Sequence, residues 1–393
     1  MYLSRLTGIA LAAATVIVGL GTTASAQLMI IGNDQKPKFD NGATTMQPPG
    51  KDTLSVVDIA KPAEPRIVAT IAMDNTIAGP PTNLAITPNR DLALVANSLK
   101  AVEKDGKWRT EPDDRLFVVD LKANPPAVVA TVNLGKQPSG LAINQAGTMA
   151  LVANRADGTI SVLSINGKEV KVTDTVTVGA PTDQVSAVAI TPDGKTALAV
   201  KSAVDKVAVL TIDNGKASYD KKNDLPANNY PYNVAVTPNG QIALIANTGG
   251  GGSSDGHADT VSVVDLTAKP IRVVDHITVG DSPEGLAISP KGNLAVTIEA
   301  RGSNRAKDNW VHQPAGAVTV LGIDGKKVTR LGEAAVGLLP EGGAFSADGS
   351  YLYIGNFIDS DLSVFRVTGT QLAYTGQRFK LPGQPASVRA GPQ

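Results

Sequence analysis

Apolar positions along this chain come in short runs, four to six residues long, that alternate with or are cut by turn residues, and the same phrase keeps returning. It reads PTNLAITPNRDLALVAN at 81–97, PSGLAINQAGTMALVAN at 138–154, VSAVAITPDGKTALAVK at 185–201, PYNVAVTPNGQIALIAN at 231–247, PEGLAISPKGNLAVTIE at 283–299 and PEGGAFSADGSYLYIGN at 340–356. Each phrase is two strands around a Pro-x-Gly or similar turn, because side chains of a half-buried strand alternate between faces and Gly or Asn supplies the turn backbone. A third apolar run follows, such as TISVLSI or TVSVVDL, and usually a fourth, such as PAVVATVNLG or IRVVDHITVG. Four short antiparallel strands repeating every 40 to 57 residues form the blade of a β-propeller.

The ends of the chain complete the count. The tail supplies one more first strand, QPASVRAG, and stops; the head opens on LMIIGN, DTLSVVDI and RIVATIAM, which match second, third and fourth strands. The pattern therefore predicts an all-β, seven-bladed propeller over 27–393, a single domain whose ring is closed by one blade shared between the N- and C-termini, with no free edge there. An open stack of sheets is the alternative, and it would need polar caps at both ends.

These phrases resemble the YVTN β-propeller repeat, whose second strand and Asn stand here as LVAN at Leu94–Asn97 and Leu151–Asn154. The resemblance covers nearly all of 27–393 and implies the fold; relatives of that kind include lactonases, dehydrogenase subunits, surface-layer proteins and nucleic-acid or peptide binders, so it leaves function open. The stretch PEGGAFSADGSYLYIGNFIDSDLSVFRV is similar to the 6-phosphogluconolactonase type of propeller, although that type tends to carry an Arg-His pair where this chain has Glu341 and Gly342.

Composition narrows the chemistry. Residues 1–26 read as a signal peptide, with Arg5, an apolar run from Ile9 to Leu20 too short to span a bilayer, and Ala24-Ser25-Ala26 as a cleavage site. A periplasmic or secreted protein without membrane insertion is expected. The chain has no Cys, which excludes disulfides, thiol nucleophiles and covalent c-type haem, and its 36 basic and 36 acidic residues give no pull toward nucleic acid.

In such a propeller the first strands line the channel, and the loops joining second to third strands share a face with the loops that enter it. By register, the second strands end on Asn33, Asn97, Asn154, Lys201, Asn247, Glu299 and Asn356, and the entering loops bring Asn83, Ser139, Asn233, Glu284, Glu341 and Ser387 toward the axis. Glu284, Glu299 and Glu341 would serve as acid or base in an enzyme, or hold a hard cation such as calcium, the one cofactor they suggest; no metal site can be named. Lys201, Asn154, Asn247 and Asn356 are candidate ligand-binding residues, with Arg301, Arg305, Trp310 and His312 of the blade 5 insert as an anion-and-ring site. Asp255, His257 and Asp259 have a weaker, metal-like spacing. Long second-to-third loops on the shared blade and blades 1, 4 and 5 predict two ridges with a cleft open toward blades 2, 3 and 6. The residues suit an exported binding protein for a small anionic ligand or a protein partner; the alternatives are a lactonase-like hydrolase and an auxiliary subunit of a periplasmic dehydrogenase.

Overall fold

The turns between first and second strands show why this chain makes hairpins. In TPNG at 237–240 the Thr237 hydroxyl donates to Asn239 Oδ1 at 2.7 Å and accepts the Ile242 amide, so a side chain rather than water closes the turn. Gly147, Gly194, Gly240, Gly292 and Gly349 take the left-handed conformation that ends these turns; Arg90 does so without being glycine.

A computed structural model describes residues 27–76, 81–251 and 253–391, and the expected signal segment lies outside the described residues. Seven antiparallel sheets are arranged as blades. The shared blade runs Gln384–Ala390, Leu28–Asp34, Thr53–Asp58, Arg66–Ala72 from axis to rim, so the tail strand pairs with the head strand, Ile31 opposite Val388. First strands touch one another all the way round, including the shared blade with blades 1 and 6, which closes the ring. Second strands such as Ile242–Asn247 are wholly buried, and fourth strands such as Arg66–Ala72 are exposed on alternate residues. Between neighbouring blades lie apolar layers, for instance Ile30, Leu54 and Val56 against Leu84, Val95 and Phe117. Blade 3 departs from the rule: its outer edge is split into Lys216–Tyr219 and Leu225–Pro226 around a short 3-10 turn. No helix among the described residues is long and apolar enough to cross a membrane.

The long loops form a different surface from the two facing ridges expected. The shared-blade loop is a hairpin, Pro37–Asp40 with Ala43–Met46, and the blade 1 loop another, Leu99–Lys104 with Lys107–Pro112. The two hairpins touch. Asn41, at the tip of the first, accepts the Lys307 amide of the blade 5 insert at 3.0 Å, and that insert is tied to blade 4 by Gly302 N–H to Ser254 Oγ at 2.7 Å. The four inserts thus join into one arc that passes over blade 6 and leaves the channel face of blades 2 and 3 open.

Candidate functional site

The ring of residues at the ends of the second strands is a structural clasp. Asn154 Nδ2 donates to Thr159 Oγ1 and Ser161 Oγ of the adjoining third strand, both at 2.9 Å; Asn33, Asn247 and Asn356 repeat the bond with Thr53 and Ser55, Thr260 and Ser262, and Asp361 and Ser363. The third strands carry Thr-x-Ser or Asp-x-Ser in those blades. Asn356 also accepts the amide of Gly337, from the link to the preceding blade, at 2.7 Å. Asn154, Asn247 and Asn356 are therefore fully enclosed between strands and are not presented to a ligand at the mouth.

Lys201 and Glu299 occupy the same register and are buried with it. Blade 3 has Lys206-x-Ala208 in place of the hydroxyl pair, so Lys201 reaches past it to Asp224 at 2.5 Å and Tyr219 Oη at 3.2 Å. Glu299 takes the Asn role: its Oε1 accepts Gly280 N–H at 3.0 Å and the Thr297 hydroxyl at 2.7 Å. Burial raises its pKa, and it raises that of Asp259, which burial and neighbouring carboxylates push up to about 7. The expected convergence of three carboxylates is thus corrected to two. Among the described residues no group of three His, Asp or Glu side chains is placed to hold a metal ion.

The blade 5 insert does not gather an anion site either. Arg301 turns outward to Glu333 at 3.3 Å, Arg305 donates to Ser254 O at 2.8 Å, and the His312 ring nitrogen Nδ1 faces Arg305 O at 3.1 Å. These groups fasten the arc. Trp310 packs beside Gly256 and remains 78% exposed. Asp255 pairs with exposed His257, while Asp259 is committed to the Ser282 amide.

Glu284 and Glu341 do come together at the channel mouth. Both sit directly after the Pro that starts a first strand, in adjacent blades. Glu341 is 2% exposed, its Oε2 has no hydrogen-bond partner, and burial and then the charge of Glu284 raise its pKa well above the ordinary carboxylate range. Glu284 is less enclosed; burial raises it to about 7, opposed by a weak bond from Ser282 and the charge of Arg155. Burial raises both carboxyls and each disfavours ionisation of the other, so they titrate as a pair.

Arg155 is the residue that sequence reasoning missed. It follows clasp residue Asn154 by one position, where the strand's alternation turns the side chain to the mouth. Its guanidinium donates to Gln184 Oε1 at 2.7 Å and Tyr230 Oη at 3.0 Å, lies 5.5 Å from the centre of the Tyr232 ring, and keeps buried Nη1 without a partner. The equivalent places in blades 1, 3 and 4 hold Ser98, Ser202 and Thr248. A long cation among small hydroxyls was a readable signal.

The backbone round this mouth is held in an uncommon shape. Gln137, Gln184, Tyr230, Ser282 and Leu339, each one residue before a first strand, have φ between 46° and 56°. Each accepts the amide of the residue that follows the clasp, as in Arg155 N–H to Gln137 O at 2.9 Å and Ala300 N–H to Ser282 O at 3.2 Å. Non-glycine residues rarely sit there, and such conformations gather at ligand sites. Further polar atoms on first strands, Ser139 Oγ, Asn233 Oδ1 and Ser387 Oγ, are buried and unpartnered. Phe357, Leu339 and Ala386 form a small buried cluster under Phe39 of the shared-blade hairpin, the two Phe rings edge to face at 5.8 Å, which seats that hairpin on blade 6.

Solved structures share this architecture. The chain superposes on a periplasmic gluconolactonase of Pseudomonas aeruginosa with a TM-score of 0.68 and 17% identity, over 93% of this chain and 99% of that one. A candidate 6-phosphogluconolactonase of Bacteroides fragilis gives 0.69 and 16%, over 94% and 99%. The fold is that of the seven-bladed lactonase-like propellers. The same likeness extends to hydrazine synthase of Kuenenia stuttgartiensis, with a TM-score of 0.59 and 20% identity over 80% of this chain and 91% of that one, so the shared fold spans different chemistries. No family model matches the propeller, and no curated protein matches it by sequence.

Proposed function

We propose that the protein is a lactonase-like hydrolase of a small anionic substrate, working at the channel mouth on Arg155, Glu284 and Glu341. The observation that carries this reading is a pair of carboxyls at the mouth, both raised by burial, one of them enclosed with an unpartnered oxygen, facing the charge of an arginine whose Nη1 has no partner. Two groups whose environments push their pKa values apart suit acid and base roles. In ring opening, ionised Glu284 takes a proton from water as its oxygen adds to the lactone carbonyl. The Glu341 hydroxyl and Arg155 meet the developing oxyanion. Collapse breaks the ring carbon–oxygen bond, and the leaving alkoxide takes a proton from a carboxyl, yielding a hydroxy acid. Tyr230 and Tyr232, stacked with centres 6.4 Å apart, flank the space for the carbon skeleton.

The likeness to a periplasmic gluconolactonase favours a sugar-acid lactone and, together with the signal-like segment 1–26, an exported location. Release of acid from a panel of sugar and aliphatic lactones tests the reading. Hydrolysis of at least one lactone is expected, with the rate reduced about 10²-fold or more by Glu284→Gln. No turnover above the spontaneous rate, or full activity in Glu284→Gln, would remove the hydrolase reading. A protein-partner face is the second reading, supported by Trp310, which stands out from the joined arc of loops.

A further inference from the structure

Blade 3 breaks its outer edge, and the break opens a groove. The other six outer strands run on for seven to ten residues. In blade 3 the chain pairs Tyr219 with Leu210, leaves the sheet over 220–224, and returns to pair Leu225 with Val207. The detour follows from the clasp: Asp224 is drawn to Lys201 at 2.5 Å and accepts the Tyr219 hydroxyl at 2.8 Å. Ala208 and Val209 are left with no outer-strand residue opposite them.

That gap exposes main chain. A residue of an antiparallel strand turns its N–H and its carbonyl to the same neighbour, and the direction alternates along the strand. In blades 2 and 6 the carbonyl of the fourth residue of the third strand faces the outer strand: Val162 O accepts Thr173 Oγ1 at 3.2 Å, and Val364 O accepts Thr375 Oγ1 at 2.8 Å. Val209 is the fourth residue of the strand Lys206–Asp213, so its N–H and carbonyl face the gap. With Leu225, Leu266, Ile271 and Val273 it lines a groove of about 680 Å³ between blades 3 and 4. These side chains belong to the apolar layer between the two blades. The rim carries Lys222, Lys269 and Arg272, all exposed and in no ion pair with a described residue. The carboxylate in the lining is Asp224, already neutralised by Lys201.

We infer that this groove docks an extended segment of a partner protein in which apolar side chains alternate with carboxylates. The open main chain of Val209 argues for a peptide, since it offers the donor and acceptor that an added strand takes up and that an alkanoate does not match. The walls argue for alternation: one face of an extended chain lies against Leu266, Ile271 and Val273, and the other meets solvent and the rim. The rim argues for acid, because three unpaired cations attract a negative partner and repel a basic one. Thr196, which borders the groove, starts the second strand whose far end is clasp residue Lys201, so the groove lies away from the mouth. This inference does not depend on the proposed hydrolase.

The test is calorimetric binding of a blocked peptide, acetyl-Val-Glu-Val-Glu-Val-Glu-amide, to the mature protein and to the double variant Lys269→Glu with Arg272→Glu. Both side chains are exposed and unpaired, so the variant should fold, which its Tm checks. Controls are the same peptide with Lys in place of Glu, the peptide N-methylated at its valines, and octanoate. The acidic peptide is expected to bind and the Lys peptide not to. Binding should weaken about tenfold or more in the double variant and on N-methylation. No binding, equal binding of the Lys peptide, or binding unchanged in the double variant would overturn the inference. Binding that survives N-methylation, or octanoate bound as tightly as the peptide, would overturn it too, since the main chain of Val209 would then play no part.

Discussion

Replacing Glu341 by Gln should make the protein more stable and its site worse, and the stability gain should depend on pH. Glu341 is enclosed, its Oε2 has no partner, and its pKa is raised above 4.5 by burial and Glu284. A carboxyl raised in the folded state holds its proton where the unfolded chain has lost it. Stability from this group is therefore fully present below about pH 4.5 and falls as pH climbs toward the folded-state pKa. At pH 8 the ceiling is the free energy of keeping an ordinary carboxyl protonated, about 5 kcal/mol. Relaxation and water entry at the mouth bring the expected value to about 2–3 kcal/mol. For a chain of this length, about 1–2 °C of Tm per kcal/mol follows from the usual unfolding entropy per residue. Glu341→Gln should then melt about 3–5 °C higher than the parent at pH 8 and within error of it at pH 4.5, by scanning calorimetry. An equal loss of Tm at both pH values would mean instead that the carboxylate is satisfied by bonds that Gln cannot replace.

Asn154→Ala removes both clasp bonds to Thr159 and Ser161 and should cost about 1–3 kcal/mol in denaturant unfolding, without altering ligand affinity. Lys201→Met leaves Asp224 buried without its cation and should cost about 3–5 kcal/mol; adding Asp224→Leu should recover much of that, as judged by the shift in unfolding midpoint. Arg155→Met should weaken binding of a sugar acid by calorimetry about tenfold or more, with Tm little changed because Gln184 and Tyr230 still bond each other at 2.7 Å.

The repeat was legible because strand alternation and turn chemistry are local, and the missing strands of the tail were visible against those of the head. Glu284 and Glu341 were legible as mouth residues for the same reason: they follow the strand-starting Pro. What misled was direction at the ends of the second strands. One residue decides which way a side chain points, and Asn154, Lys201 and Glu299 point between strands while Arg155 points to the mouth. The Thr-x-Ser partners of Asn33, Asn154 and Asn247 stand in the chain, as does the Lys206-x-Ala208 gap that lets Lys201 extend, but they are read only by comparing blades at registers far apart. The joining of the inserts was beyond pattern reading, because Asn41 meets Lys307 and Gly302 meets Ser254 through loops with no periodicity.

The most direct test of the channel mouth as the functional site is a crystal structure of the mature protein with gluconate, a hydroxy-acid product of the proposed class. Its carboxylate is expected against the Arg155 guanidinium, with Glu284 and Glu341 facing the carbon chain. Gluconate found only in the 680 Å³ groove between blades 3 and 4, beside Lys222 and Arg272, with the mouth empty, would contradict it.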